Sequence, residues 1–285
     1  MTLAIEQSSC IKCGKCVKVC PDNIFIQGKA GAAIEIERAE ECIGCGHCVS
    51  VCPTNSVIHS EFPAEKVHPI DYQAMPDPGQ VMLLLKARRS NRTITSKAIP
   101  AEKLAMIVEA AHLAPTATNS QNVSFTLVTT PETVKQVADF TIQVFDGMLK
   151  KLENPLLKPL LKVVLKDVYK YVPAFKRLKE QHLAGEDPIL RKATALLFIH
   201  TPKSSRFGCE DANLAYQNAS IMAQSLGVSQ IYMGFVLTAI KQDNSGKLTS
   251  LLGIDGKIQA VMAMGMPAYN YPNYPDRNEI NVNEI

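Results

Sequence analysis

Tryptophan is absent from the 285 residues, and cysteine all but vanishes after residue 52, with eight of the nine lying before that point. No apolar run approaches the ~18–20 residues needed to span a bilayer. The longest, such as 193–199, are strand-sized. Residues 1–9 lack a basic start followed by an apolar core and a cleavage site, so a secreted, disulfide-built fold is not expected. There is no low-complexity tract, and no Lys/Arg run with interleaved aromatics of the kind that grips nucleic acid. Ser/His/Asp order, H-E-x-x-H and P-loop patterns are all missing. So is G-x-G-x-x-G, which excludes a dedicated nicotinamide-binding Rossmann domain. With 46% apolar and 20% charged residues, the chain reads as one large or two unequal globular domains.

What is there begins with the cysteines. They read Cys10-x-x-Cys13-x-x-Cys16-x-x-x-Cys20-Pro21 and then Cys42-x-x-Cys45-x-x-Cys48-x-x-x-Cys52-Pro53. Zinc sites favour two pairs of ligands, not two evenly spaced triplets each followed by a Cys-Pro. The run resembles that of bacterial two-cluster ferredoxins, in which three cysteines wrap one 4Fe–4S centre and the fourth ligates the other. The resemblance assigns Cys10, Cys13, Cys16 and Cys52 to one centre, and Cys42, Cys45, Cys48 and Cys20 to its partner. Such exposed clusters suit a reducing cytoplasm that is low in oxygen.

Residues 10–21 align on 42–53 at an offset of 32, with nine identities in twelve positions; Asn23/Asn55 and Ile26/Ile58 extend the match. Each half reads as a cluster loop, a short helix and a small strand (24–26 and 57–59), with a further strand candidate at 33–36. We take 1–59 as a ferredoxin domain whose clusters act as core and staples. Residues 60–78 carry Pro63, Pro69, Pro76 and Pro78 and read as a stiff, extended linker. Charge divides similarly. Residues 1–75 hold six Lys/Arg against nine Asp/Glu, and the rest hold 24 against 18. A negative electron-transfer module with a positive body fits docking and an anionic cofactor.

From residue 79 the pattern is α/β. Helices are expected at 81–88, with Val81, Leu84 and Leu85 inward, at 100–113, from Pro131 to about 150, and at 209–226, closed by Gly227. Strands are expected at 125–128, 196–200, 228–235 and 258–264. Residues 154–183 read as one or two helices broken near Pro159 and Pro173. The tail, 267–285, has too little apolar pattern to fold alone. His112 and His200 read as core histidines, His47 as solvent-facing, and Cys209 as a small buried residue.

Two polar stretches stand out. Arg88-Arg89-Ser90-Asn91-Arg92 ends a helix; that is what a solvated basic face looks like, and also what a phosphate dianion needs. The loop 114–121, Ala-Pro-Thr-Ala-Thr-Asn-Ser-Gln, is either a capped turn or a set of donors and acceptors for the edge of a heterocycle. Together, Arg-Arg-Ser-x-Arg followed by Ala-Pro-Thr-x-x-Asn-x-Gln resembles the nitroreductase family of FMN-dependent oxidoreductases. Gly227–Gly234 is similar to that family's segment beside the flavin, and Gly265-Met266-Pro267 with Arg277 to its C-terminal Gly-x-Pro…Arg. Departures are Asn122-Val123 where aromatics are frequent, and Tyr232 where Trp is frequent.

The resemblance implies an α+β chain: a small ferredoxin-like domain with two 4Fe–4S clusters, then a flavin domain (79–285) built on a mostly antiparallel sheet flanked by helices. Arg88, Ser90, Arg92 and Arg277 would hold the FMN phosphate, with Arg89 nearby. Thr116, Asn119 and Gln121 would meet the ribityl chain or ring edge. Tyr232, Met233 and Gly234 would lie along the ring, with the Gly234 backbone near N5; no side chain is assigned a catalytic role. A homodimer would give the tail somewhere to pack. The expected activity is reduction of a nitroaromatic, quinone or activated alkene, fed by a low-potential ferredoxin or flavodoxin. The alternatives are an NAD(P)H- or substrate-oxidising enzyme exporting electrons through the clusters, or a non-catalytic electron-transfer or flavin-sensing protein. No nucleic-acid or membrane partner is expected.

Overall fold

Short helices cannot persist alone, because nucleation costs more than one or two turns return. Those of the cysteine region are therefore held by side chains from elsewhere in their unit. The computed structural model describes residues 1–285, which divide into two compact units: 1–76 with 117–120, and 77–116 with 121–285.

In the first unit the order is β1 (Leu3–Ile5), α1 (Lys15–Val19), β2 (Phe25–Ile26), β3 (Glu35–Ile36), α2 (His47–Val51) and β4 (Val57–His59). β1 pairs antiparallel with β4, and β2 with β3. The repeat is visible in the backbone. Lys12 and Gly44, Gly14 and Gly46, and Asn23 and Asn55 are equivalent pairs, and all six have positive φ. At Gly46 a Cβ would sit 3.2 Å from the Phe62 ring, so the sharp entry into α2 needs glycine twice over, for conformation and for space. Ile24, Phe25, Ile34, Val49 and Val57 form the core with Cys16 and Cys48. Phe62 and Val67 pack against it, so the proline-bearing stretch starts as part of this unit. β1 is an element the sequence pattern did not reveal.

The second unit runs α3 (Pro78–Ala87), α4 (Ala101–His112), β5 (Ser124–Val128), α5 (Pro131–Leu152), α6 (Lys158–Val164), α7 (Lys166–Tyr169), α8 (Val172–Leu183), β6 (Ala195–Thr201), α9 (Gly208–Ser225), β7 (Ser229–Tyr232), α10 (Gly234–Gln242), α11 (Lys247–Leu251) and β8 (Lys257–Gly265). The sheet order is β5-β6-β8-β7, antiparallel throughout. Side chains alternate across it. Leu196, Phe198, Val261 and Ala263 join one core with α5, α8 and α10, while Leu197, Ile199, Ala260 and Met262 join another with α4 and α9. With both faces covered, β6 and β8 read as continuous apolar runs. Gly227 closes α9 as a Schellman cap: Val228 N–H donates to Ala223 O at 2.8 Å and Gly227 N–H to Gln224 O at 3.2 Å.

Several expectations need correction. The strand at 228–235 stops at Tyr232, because Met233 makes the last ladder bond, to Val261 O, and the chain then turns into α10 at Gly234. From Ile231 to Leu237 no polar residue interrupts the sequence, and such a run cannot by itself mark where strand yields to helix. Val81 and Leu85 face solvent rather than the core, and α3 buries no residue. Residues 154–183 form three helices rather than one or two: the chain does break near Pro159 and Pro173, each of which sits in the first turn of the helix that follows, and a further break falls at Leu165. Cys209 and His112 are exposed, not buried. His200 is half-buried, and its Nε2 lies 3.0 Å from Thr126 Oγ1.

Candidate functional site

Two small cavities in the first unit divide the eight cysteines in crossed fashion. Cys10, Cys13, Cys16 and Cys52 line one; Cys20, Cys42, Cys45 and Cys48 line the other. No three His, Cys, Asp or Glu side chains converge as they would on a single ion. The thiols surround a space instead, which suits a multi-atom iron–sulfur cube. Backbone N–H groups are aimed at the sulfurs. Ile24 donates to Cys20 Sγ at 3.4 Å, its repeat equivalent Ser56 to Cys52 Sγ at 3.2 Å, and Gly44 to Cys42 Sγ at 3.4 Å.

Burial pushes the Cys16 and Cys42 thiols up, and that of Cys48 up to about 11. Burial also pushes Cys52 up, but the backbone N–H and hydroxyl of Thr54, with the N–H groups of Ser56 and Val57, outweigh it and hold the thiol below its ordinary value. Apolar walls that disfavour bare thiolates, with N–H donors that favour them, describe a donor set for a group carrying its own positive charge. His59, buried at the end of β4, was not singled out by the sequence. Its Nδ1 accepts the Glu61 N–H at 3.1 Å, so Nε2 carries the proton that faces Cys42 Sγ at 3.7 Å.

In the second unit, Arg92, Tyr232, Met233 and Gly234 line one cavity of about 550 Å³ together with Tyr171, Phe175, Arg191, Phe235 and Thr238. The Arg88–Arg92 turn is tied to this cavity through β7. Ser90 bridges to Gln230, and Gln230 Nε2 donates to Arg89 O at 3.3 Å. Gln230 is itself fixed by the buried Tyr216, whose hydroxyl donates to Gln230 Oε1 at 2.6 Å. Burial pushes the Tyr216 phenol well above its ordinary value, so it stays a donor. The Tyr232 ring meets Tyr216 edge-on at 4.7 Å, and its hydroxyl donates to Asn213 Oδ1 at 3.1 Å. Arg89 Nη2 is buried with no hydrogen-bond partner, an orphaned donor on a guanidinium. Such a group asks for an anion.

Comparison with known proteins decides the family. Residues 85–266 match the nitroreductase family model. The chain belongs to the nitroreductase family. Residues 4–59 match a 4Fe-4S dicluster domain. Among solved structures, the chain is similar to a nitroreductase with bound FMN from Bacteroides fragilis, at 20% identity and a TM-score of 0.54, over 72% of this chain and 99% of that one. A nitroreductase with bound FMN from Desulfitobacterium hafniense matches at 19% identity and 0.56, over 74% and 100%. An FMN-dependent nitroreductase from Clostridium difficile matches at 18% and 0.50, over 73% and 100%. At these identities the likeness is one of fold. No curated protein matches the chain.

The nitroreductase unit brings only some of the expected flavin residues together. Arg92, Tyr232, Met233 and Gly234 share the cavity; Arg89 and Ser90 are joined through Gln230 to the strand that ends at Tyr232, and Arg88 precedes them in the same turn. Thr116 and Gln121 hold one another, with Gln121 N–H donating to Thr116 Oγ1 at 2.9 Å, and neither lines the cavity. Asn119 spends its amide on carbonyls of the first unit, to which residues 117–120 belong. Arg277 lies in an exposed tail without regular structure. Tyr216 and Gln230 were missed because their roles are contacts made across the fold. Phe175 and Tyr171 come from the stretch that no motif covered. A larger cavity of about 690 Å³ lies elsewhere in this unit, beside Lys135 and His182, but Lys135 Nζ and His182 Nε2 both already meet the Asp139 carboxylate.

Proposed function

We propose that the protein is an FMN-dependent oxidoreductase that receives electrons through two 4Fe–4S clusters and reduces a small organic acceptor of the nitroaromatic, quinone or activated-alkene type. The observation that carries this reading is the cavity shared by Arg92, Tyr232, Met233 and Gly234; the neighbouring turn adds a buried Arg89 Nη2 without a hydrogen-bond partner. When bound there, FMN would supply hydride or single-electron chemistry, and the clusters would supply electrons one at a time.

The chain's own residues do the rest. Arg88, Arg89, Ser90 and Arg92 offer guanidinium forks and a hydroxyl to a phosphate. Gly234 opens α10, so first-turn N–H groups there have no partner within the helix and favour negative charge. Tyr232 would present its partly exposed ring to a flat substrate, and Tyr171 and Phe175 add aromatic surface to the cavity lining. The cysteine tetrads fit two clusters by donor type, by their crossed partition and by their N–H···S bonds. No helix is long and apolar enough to cross a membrane; a reducing cytoplasm suits eight unpaired thiols in the cysteine region. A second copy of the chain would cover the apolar side chains that α3 and the tail leave exposed, among them Met82, Leu83, Tyr271 and Ile280.

Anaerobic quantitation of iron, sulfide and FMN tests the proposal, followed by a donor screen. About eight irons and one FMN per chain are expected. A low-potential ferredoxin or flavodoxin should reduce both chromophores and sustain turnover of a nitroaromatic. Rapid bleaching by NAD(P)H alone would reverse the proposed direction of flow, and reduction without turnover would leave an electron carrier.

A further inference from the structure

The two cysteine loops of the first unit are repeat equivalents, yet they are held in different ways. Lys12 and Gly44 correspond under the 32-residue offset and share the left-handed backbone, at φ 55° and 62°. In the first loop, Gln27 Nε2 donates to Lys12 O at 3.0 Å and to Ala32 O at 2.8 Å, stitching the loop to its own half. The repeat equivalent of Gln27 is His59. His59 does not perform the same task, because its ring is committed to the Glu61 N–H and to Cys42 Sγ.

The carbonyls of the second loop are met from outside the repeat. Asn119 Nδ2 donates to Gly44 O at 2.9 Å and to Ile43 O at 3.1 Å, although it lies 75 residues beyond Gly44. Both partners are between Cys42 and Cys45. The peptide that carries Ile43 O also carries the Gly44 N–H, and that N–H donates to Cys42 Sγ at 3.4 Å. A donor on the oxygen of this peptide therefore orients and polarises the N–H that faces a ligand sulfur. Thr118 and Asn119 both take φ 52° to present the amide. Non-glycine residues hold that conformation where surrounding contacts outweigh its cost, and asparagine tolerates it better than most.

We infer that Asn119 is a positioning residue for the centre held by Cys20, Cys42, Cys45 and Cys48, doing for the second loop what Gln27 does for the first. This rests on the two-cluster reading. It also gives the Asn of the Ala-Pro-Thr-x-x-Asn-x-Gln stretch a use other than the flavin contact expected of it. The two centres then differ by construction. One loop is stitched within the repeat, and the other is clamped by a residue of a distant loop.

The test uses the full chain, purified anaerobically, with Asn119→Ala, the isosteric Asn119→Asp, which cannot donate, and Gln27→Ala. Cys13→Ser and Cys45→Ser identify which electron paramagnetic resonance signal belongs to which centre. Potentials are read by titration and iron loss by chelator challenge. Both Asn119 variants should shift the potential of the centre that Cys45→Ser disturbs and release its iron about tenfold faster, the scale of lost outer-shell partners. Gln27→Ala should do the same to the other centre, and FMN content should not change in any of the three. Equal effects on both centres, no effect on either, or loss of FMN at full iron would overturn the assignment; the last would return Asn119 to the flavin. Iron content of the unsubstituted protein is measured first. A value near four per chain would sink the two-cluster reading itself, and the assignment would fall with it, by a different signature.

Discussion

At the scale of single residues, the network behind the Arg88–Arg92 turn rests on one phenol. Tyr216 is buried, and its hydroxyl is the donor that fixes Gln230, which in turn holds Arg89 and Ser90. Tyr216→Phe removes the donor and leaves Gln230 Oε1 unsatisfied. We expect a loss of about 1–3 kcal/mol in chemical denaturation, with weaker FMN retention and unchanged iron. A second residue-scale prediction concerns the phosphate. Arg92→Ala and Arg277→Ala should each lower FMN content while leaving cluster iron intact, measured on the same sample. Equal loss of iron would contradict separate sites. Gly265 shows why the Gly-Met-Pro stretch starts with glycine: a Cβ there would collide with Ile94 Cγ2. The 93–95 segment pairs closely with 266–268, through Thr95 N–H to Met266 O and Ala268 N–H to Thr93 O.

At the scale of elements, α8 depends on α5 for its place. Phe145 of α5 stacks on Phe175 of α8 at 4.5 Å, and Asp146 of α5 binds Lys179 of α8 as well as Lys150 of its own helix. The hydrogen bond from Lys179, then that from Lys150, holds the Asp146 carboxyl below its usual value. A depressed carboxylate contributes stability above its unfolded pKa and loses it as pH falls through the folded value. Asp146→Asn should therefore cost up to about 1 kcal/mol near neutrality, the range of exposed ion pairs. The gap between wild type and variant should close in acid below the ordinary carboxylate range. Urea melts at several pH values read this directly, and a gap that persists in acid would show that packing, not charge, is responsible. Because Phe175 also lines the cavity proposed for FMN, the same variant should raise KM for a bulky acceptor more than it lowers kcat.

At the scale of the whole molecule, the exposed tail and α3 carry the prediction of a second copy. Ile280 and Val282 are 88% and 66% exposed, and Met82 and Leu83 exceed half. Removing residues 270–285 should lower the dimer fraction in sedimentation and release FMN, while the iron signal stays. A truncated protein that remains dimeric and flavin-replete would refute that use of the tail. The amino-acid order alone determined the chemistry that spacing carries. The cysteine register, the repeat, the Pro131 and Gly227 helix boundaries and the two buried strands are local or periodic signals, set by covalent distance and side-chain alternation. The family resemblance also lay in short contiguous motifs.

Tertiary structure decided which of those residues meet. The Gln230–Tyr216 support joins β7 to the middle of α9, and Phe175 reaches the cavity from a helix that no motif covers. Asn119, expected at the ring edge, donates its amide to the Ile43 and Gly44 carbonyls between Cys42 and Cys45. No local pattern could announce it, because a side-chain amide serves a flavin, a turn or a distant carbonyl equally well. Only the folded chain brings one of these within hydrogen-bond distance.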